Sequence, residues 1–289
     1  MSNTRRRFLR TLAAGTVAMT APYPVAVHAS TLTGWAEFRF AHDGVERRVF
    51  MKGDGPGILL MHELPGMTRE CVALAERIVT RGYAVYMPLI FGEPMRSYGA
   101  LWTPVLCISR EFTCFATGET SPFTVWLRAL SARIRDERTP HPVGVIGMCF
   151  TGGFVLSLMI DPHVLAPVSC QPALPFAIGA TRAAALGISD ADLEHAKARA
   201  REGVRVLGFR FTEDSICPHA RFLALRRELG DRFDGTEIDS SSGNKWGIPH
   251  GAHAVLTKHF TDTPGHPTRE ALDKTLAFFD QRLKGRPAS

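Results

Sequence analysis

The sequence lacks the patterns that mark metal-binding, membrane-spanning and repeat proteins. Its six cysteines contain no Cys-x-x-Cys pair and no Cys/His spacing typical of a metal site. Beyond the first 29 residues, no apolar run approaches the length of a membrane-spanning helix. No internal repeat or low-complexity tract is present. These absences leave a globular chain whose function must be sought in short motifs.

The net charge excludes one further class of partner. The chain carries a formal net charge of +6, but four of its arginines lie within the first 10 residues, where no acidic residue accompanies them. Without these four charges the net charge falls to +2, which gives no basis for predicting nucleic-acid binding. The hydrophobic content of 45% is enough for one large core or two small ones.

The N-terminal segment is typical of a twin-arginine export signal. Residues 4–10 read Thr-Arg-Arg-Arg-Phe-Leu-Arg, a mildly apolar stretch follows to residue 27, and Val-His-Ala precedes Ser30. The stretch is short and is interrupted by Pro22 and Pro24, so we expect no stable membrane association. We therefore predict a signal peptide over 1–29, recognised by the twin-arginine export machinery, and a periplasmic or secreted protein. The alternative is a basic tail on a cytoplasmic enzyme.

Strand and helix patterns alternate through residues 30–289, which we interpret as a single domain. Strands are expected over 37–41, 48–52, 57–62, 83–90, 142–148, 164–169, 204–211 and 236–239. Helices are expected over 68–81, 121–138, 191–201, 218–229 and 267–283, with another directly after residue 149. This alternation predicts an α/β fold with a mostly parallel central sheet and helices on both faces.

One segment, residues 91–120, has no clear period and is expected to form a long connection over the sheet edge. It contains Cys107 and Cys114, which lie seven residues apart. The periplasm would permit a disulfide between them. Twin-arginine substrates fold first in the reducing cytoplasm, however, which argues against that pairing.

Residues 144–153 form the most informative motif, an apolar run that ends in Gly-x-Cys-x-x-Gly. The spacing is typical of a nucleophile elbow with Cys149 in place of the usual serine. Gly147, Thr151 and Gly152 are small, so a strand and the following helix can approach closely. The helix N-terminus favours a thiolate, and the backbone N–H of Phe150 is suited to stabilise an oxyanion. The alternative is a buried cysteine with a packing role only.

A cysteine nucleophile needs a base, and the base needs an orienting acid. In this kind of site both follow the elbow in the chain, the acid first. Asp214 stands at the turn after the predicted strand 204–211, and Glu213 beside it is the weaker candidate because its longer side chain precedes the turn. His253 lies in a loop of small residues before an apolar segment, which suits a base better than the neighbouring His250.

Glu63 is unexpected at the end of the first predicted parallel strand. In serine α/β-hydrolases the turn at this point supplies a second oxyanion N–H, here that of Leu64. A carboxylate there would repel a developing oxyanion. Beside a cysteine it has a use, because it can accept the hydrogen bond of the neutral thiol and so limit oxidation. The alternative is a surface glutamate at a strand end.

The combination of Cys149 in the elbow with Glu63 after the first parallel strand resembles the dienelactone hydrolase family, α/β-hydrolases with a cysteine nucleophile. Segments 60–66, 147–153, 208–218 and 249–255 match this family in order and spacing. The resemblance implies an α/β-hydrolase fold. By position it implies the nucleophile, acid, base and thiol-holding carboxylate at Cys149, Asp214, His253 and Glu63, and oxyanion donors at Leu64 and Phe150.

The sequence departs from the family archetype at two positions. Thr151 replaces a glycine of the elbow, and Thr257 replaces an arginine that binds the substrate carboxylate four residues after the histidine. The chemistry of the triad therefore transfers better than the dienelactone substrate. Arg96 and Arg110 in the long connection are candidates to bind substrate in place of the missing arginine.

We therefore expect an enzyme that hydrolyses a small-molecule ester or lactone through a Cys-His-Asp triad and an acyl-enzyme. No metal and no organic cofactor is implied by this chemistry. The same triad would support a thioesterase or an acyltransferase. A non-catalytic binding or thiol-redox protein on the same fold is the alternative of another class.

Overall fold

The computed structural model describes residues 31–96, 121–174 and 183–285. The opening hairpin is formed by strands β1 (Ala36–His42) and β2 (Val45–Lys52), which pair antiparallel. Asp43 and Gly44 connect them with φ values of 48° and 75°. Two positive φ values are what a tight two-residue hairpin turn requires, and an Asp-Gly pair adopts them at low cost.

Six further strands join this hairpin in one eight-stranded sheet. They are β3 (Gly57–Met61), β4 (Ala84–Pro88), β5 (Val143–Met148), β6 (Val164–Cys170), β7 (Val206–Phe211) and β8 (Phe233–Ile238). The strand order is β1-β2-β4-β3-β5-β6-β7-β8, and every pairing after β2–β4 is parallel. Every residue of β3, β4 and β5 is buried, because helices cover the sheet on both sides.

The helices divide between the two faces of the sheet. They are α1 (Arg69–Thr80), α2 (Pro122–Glu137), α3 (Phe154–Leu158), α4 (Asp190–Arg201), α5 (His219–Leu229) and α6 (Pro267–Leu283). Residues of α1 and α6, such as Ile78 and Phe279, belong to the core on one face. Residues of α2 to α5, such as Trp126 and Phe222, belong to the core on the other. The predicted α/β architecture is confirmed.

The observed bounds differ most from the predicted ones where the alternation of apolar and polar side chains is weak. The last strand was expected over 236–239, but β8 spans Phe233–Ile238 and pairs with the whole of β7. Only the two terminal residues of β8 are buried, so its sequence carries little hydrophobic alternation. Pro218 is the N-cap of α5 rather than its first residue.

Several predictions concern residues outside the described part of the chain. The signal peptide over 1–29, the cysteines Cys107 and Cys114 and the candidate Arg110 all belong to this group. Within the described ranges, no helix has the length and apolar character needed to cross a bilayer.

The parallel register brings the ends of four strands together. Met61 of β3 pairs with Gly147 of β5, and Met148 of β5 pairs with Cys170 of β6. Cys170 in turn pairs with Phe209 of β7. The residues that follow these strands therefore lie at one edge of the sheet, where sites form in α/β proteins.

Candidate active site

Cys149 directly follows β5 and begins a short 3₁₀ turn, Cys149–Gly153, that leads into α3. Its φ is 56°, a left-handed value that is strained for a residue with a side chain, and only 7% of the residue is exposed. A Cβ on Gly147 would lie 2.3 Å from the carbonyl oxygen of Thr151. The close strand–helix approach predicted for an elbow is therefore present, and glycine at position 147 makes it sterically feasible.

The hydroxyl of Thr151, which stands where the family archetype has a glycine, forms hydrogen bonds inside the elbow. It accepts from the Met148 N–H at 2.8 Å and lies 2.8 Å from the Met148 carbonyl and 3.1 Å from the Met61 carbonyl, to one of which it donates. Met61 is the last residue of β3. This departure from the family archetype thus braces the elbow against the strand that precedes Glu63.

His253 and Asp214 are brought together by loops that follow β7 and β8. The Nδ1 atom of His253 is 2.7 Å from Oδ2 of Asp214. The other carboxylate oxygen accepts backbone N–H groups of Ile216 at 2.9 Å and Cys217 at 3.1 Å. Asp214 is buried, and its bond to Nδ1 fixes the ring orientation that directs Nε2 away from the acid.

The side chain of His253 interacts with Cys149 as well as with Asp214. Burial lowers the pKa of His253, but the charge of a Cys149 thiolate and the hydrogen bond that the ring donates to Asp214 act in the opposite direction, and the pKa lies well above its usual range. Nε2 itself is buried and has no aligned hydrogen-bond partner among the described residues. Cys149 is therefore near enough to the His253 ring to affect its charge, and Nε2 is the ring nitrogen left for the sulfur because Nδ1 binds Asp214.

The alternative candidates lie apart from this arrangement. Glu213 and His250 are both exposed, whereas Asp214 and His253 are not. His219, which stands at the start of α5, pairs with Glu237 at 2.7 Å. Of the acids and histidines weighed from the sequence, only Asp214 and His253 contact each other in the described structure.

His259 supports the loop of His253, a role that the sequence did not indicate. Its Nδ1 lies 3.3 Å from the backbone nitrogen of His253 and 3.1 Å from that of Ala254, so it accepts from both. Burial, followed by the charge of Lys258, lowers the pKa of His259. A neutral ring is required for this acceptor role, because a protonated Nδ1 has no lone pair to offer.

Glu63 is buried beside this group but is held by two other side chains. Oε1 accepts the hydroxyl of Thr257, and Oε2 accepts the amide of Gln171 at 3.1 Å. Burial raises the pKa of Glu63, while the charge of His253 and these two donors oppose the rise. The expected hydrogen bond from the Cys149 thiol is not among the contacts of Glu63 in the described structure.

Gln171 was missed by the sequence analysis. It follows β6, is fully buried and has a φ of 31°. Its backbone N–H donates to the Phe209 carbonyl at 2.6 Å, and its Oε1 accepts the Val255 N–H at 3.4 Å. A polar residue directly after an apolar strand that ends at the site edge was the available signal.

The candidate oxyanion donors, Leu64 and Phe150, follow the neighbouring strands β3 and β5 at the same edge of the sheet. Leu64 is half-buried, and its N–H donates to no acceptor among the described residues. His62 fixes this turn through both ring nitrogens. Nε2 accepts the Ile90 N–H at 3.0 Å, and Nδ1 donates to the Glu63 carbonyl at 3.1 Å. Burial lowers the pKa of His62 to about 4, so its ring is neutral. Phe150 directly follows Cys149 in the elbow and packs against Phe154.

Two arginines were candidates for substrate binding, and a third, which was not predicted, joins loops near the site. Arg96, a candidate for substrate binding, is exposed, and the other candidate, Arg110, lies outside the described residues. Arg221 on α5 is buried and was not predicted. It donates to the carbonyls of Pro172 at 2.9 Å, Ala185 at 2.8 Å and Ile216 at 3.4 Å, and so joins the segments that follow β6 and β7 to the residues before α4. No group of side chains within the described ranges has the composition and spacing of a metal site.

Comparison with known proteins identifies a family. The model of the dienelactone hydrolase family matches residues 48–239, more than half of the chain. No curated protein matches the sequence significantly.

Solved structures show the same fold at low sequence identity. A dienelactone hydrolase from Anabaena variabilis shares 14% identity with a TM-score of 0.56, and the match covers 86% of this chain and 99% of that one. A cold-adapted esterase from an Arctic intertidal metagenomic library shares 17% identity with a TM-score of 0.57, covering 88% and 97%. A thioesterase domain from the curacin biosynthetic pathway shares 10% identity with a TM-score of 0.52, covering 84% and 99%.

These likenesses show the fold, and the family model shows the relationship. The eight-stranded, mostly parallel sheet with Cys149 in a tight turn after β5 is an α/β-hydrolase fold. The matched residues include β3, the elbow and Asp214. The chain therefore belongs to the dienelactone hydrolase family.

Proposed function

We propose that this protein hydrolyses an ester or lactone with Cys149 as nucleophile, His253 as base and Asp214 as the acid that orients the base. The observation that carries the proposal is the His253 ring, which bonds Asp214 through Nδ1 at 2.7 Å and whose pKa is raised by the neighbouring Cys149. An inert core cysteine has no such partner. The family membership supports hydrolysis as the class of reaction.

The reaction follows from these positions. The Cys149 thiol gives its proton to Nε2 of His253, and the thiolate attacks the carbonyl carbon of the substrate. The N–H groups of Leu64 and Phe150 bind the oxygen that becomes negative. When the tetrahedral intermediate collapses, the carbon–oxygen bond to the alcohol breaks and His253 returns the proton to it. His253 then takes a proton from water, which attacks the thioester. When the second tetrahedral intermediate collapses, the carbon–sulfur bond breaks, His253 returns the proton to the sulfur of Cys149, and the carboxylic acid product leaves and ionises.

The substrate is proposed to lack a free carboxylate next to its reacting group. Thr257, at the position of the archetype's arginine, is buried and donates its hydroxyl to Glu63. A side chain so occupied offers no charge-assisted pair to a substrate carboxylate. The loss of such a pair costs on the order of 2 kcal/mol of recognition, roughly thirtyfold in affinity.

The test is turnover of purified protein on a panel of activated esters, lactones and thioesters. Cys149→Ala should abolish turnover and leave the melting temperature nearly unchanged. Cys71→Ala, which removes another buried thiol, is the matched control and should retain activity. Substantial turnover by Cys149→Ala would overturn the mechanism. The panel should pair a carboxylate-bearing lactone with its methyl ester; preference for the free acid, lost on Arg96→Ala or Arg110→Ala, would restore a dienelactone-like substrate.

We further propose that residues 1–29 direct export through the twin-arginine machinery, with the periplasm or the exterior as destination. The support is the Thr-Arg-Arg-Arg-Phe-Leu-Arg sequence at residues 4–10. Replacement of Arg5 and Arg6 by lysine should keep the protein in the cytoplasm. Equal recovery of parent and variant from the periplasm would contradict this proposal.

A further inference from the structure

We infer that Thr257 and Gln171 are positioning residues that occupy both carboxylate oxygens of Glu63 and so keep this acid from binding the Cys149 thiol. The inference rests on the proposed function only in taking Cys149 as the reacting group. It assigns roles to two residues that do not themselves touch the substrate carbonyl. It also changes the role expected for Glu63, from a direct restraint on the thiol to a group that is itself restrained.

The strand register places Glu63 and Cys149 at the same edge of the sheet. Met61 pairs with Gly147, and the chain reaches Glu63 and Cys149 two residues after these partners, beyond the ends of β3 and β5. An unheld carboxylate at this place would accept the hydrogen of the thiol, and its charge would oppose the thiolate. The site therefore needs a competing partner for Glu63 if the proton of Cys149 is to pass to His253.

Two neutral donors supply that competition. The Thr257 hydroxyl donates to Oε1 of Glu63, and the Gln171 amide donates to Oε2 at 3.1 Å. Both donors are buried, so water does not replace them freely. Each bond takes one of the roughly four acceptor positions of the carboxylate, and together the two bonds fix the orientation of the group.

The donors are themselves fixed in orientation. The Val255 N–H points at Oε1 of Gln171, which leaves the NH₂ group as the end that faces Glu63. The backbone of Gln171 is anchored to the Phe209 carbonyl at 2.6 Å. The Thr257 carbonyl accepts the Phe260 N–H at 3.0 Å. Because Thr257 stands four residues after His253, one loop delivers the base and restrains the acid.

The other acids near Glu63 are already engaged. Asp214 binds His253 and two backbone N–H groups. Glu70 bonds Thr68, which lowers the pKa of this exposed carboxyl. The remaining titratable groups around Glu63 are His253 and the buried thiols of Cys71 and Cys170, and those near Cys149 are His253, Arg221 and Cys217. Among the acids of this described set, Glu63 is the one held by neutral side chains alone.

The test measures the alkylation rate of Cys149 by iodoacetamide, without substrate, as a function of pH. Mass spectrometry of the peptide that contains Cys149 separates it from the other cysteines. Thr257→Val keeps the shape but removes the donor; we expect alkylation at neutral pH to slow about tenfold, equivalent to a shift of about one unit in the pH midpoint. Gln171→Met should act in the same direction. Thr257→Ser, which retains a hydroxyl, should restore the parent rate.

The decisive comparison is made in a Glu63→Gln background. If Thr257 acts through Glu63, then Thr257→Val added to Glu63→Gln should change the rate by less than about twofold, because the two residues lie on one pathway. Unchanged alkylation in Thr257→Val, or an equal slowing with and without Glu63, would overturn the inference. Turnover is assayed separately, so an inactive parent whose alkylation still follows this pattern would refute only the proposed function.

Discussion

Two buried carboxylates lie at the same edge of the sheet and are bound in opposite ways. Asp214, after β7, accepts the His253 ring at 2.7 Å and two backbone N–H groups of its own turn. Glu63, after β3, accepts only the neutral side chains of Thr257 and Gln171 in the described structure. One acid is bound to a group that becomes cationic during the proposed reaction, and the other is bound to groups that cannot. The same functional group therefore serves two purposes according to its donors.

The two sites also differ in how far along the chain their partners lie. The backbone donors of Asp214 are two and three residues away, so the turn after β7 builds its own carboxylate site. The donors of Glu63 lie 108 and 194 residues away. A local turn is robust to changes elsewhere, whereas the Glu63 site depends on the register of several strands. This contrast predicts different responses to matched substitutions.

The largest effect is expected from Asp214→Asn. The amide presents an NH₂ group where the carboxylate accepted the Nδ1 proton, so His253 is held in the wrong tautomer. We expect kcat to fall on the order of 10³- to 10⁴-fold, with little change in KM. Steady-state kinetics on an activated ester would measure this. Glu213→Gln, an exposed neighbour, is the control, and a loss of equal size there would remove the distinction between the two acids.

An intermediate effect is expected from Thr151→Val, which separates the elbow from the strand that leads to Glu63. The substitution leaves the buried Met148 N–H without its side-chain acceptor, so we expect a loss of about 1–3 kcal/mol in the free energy of unfolding. Urea denaturation would give this value, and Thr151→Ser should retain most of the stability. If Thr151→Val were as stable as the parent, the hydroxyl would not be bracing the elbow.

The smallest effect concerns the pH dependence of stability in Glu63→Gln. Since the folded-state pKa of Glu63 is raised above its ordinary value of 4.5 by burial, the native state holds this proton more tightly than the unfolded state does. The stabilisation is full below that value and is lost as the pH rises through the folded-state pKa. The melting temperature of Glu63→Gln relative to the parent should therefore increase with pH. A constant difference across the range would show that Glu63 is not perturbed in the folded state.

Much of the framework was predictable because its signals are local. The continuous apolar run of β3, the alternating runs of the first two strands and the Gly-x-Cys-x-x-Gly elbow each depend on residues within a few positions of one another. β8 was predicted too short because its buried residues are only Phe233 and Ile238 at its ends. The strand is stabilised by its pairing with β7, which the weak hydrophobic alternation of its own sequence does not predict.

By itself, the sequence determined the strand–helix alternation, the turn that presents Cys149 and the chain order of Asp214 and His253, since periodicity and turn chemistry act over short distances. Only the tertiary structure decided that Glu63 binds Thr257 and Gln171, and that His259 supports the loop of His253. These contacts join loops whose relative positions follow from the register of parallel strands and from helices packed on opposite faces. Such long-range pairings depend on the whole core and leave no periodic trace in any one segment.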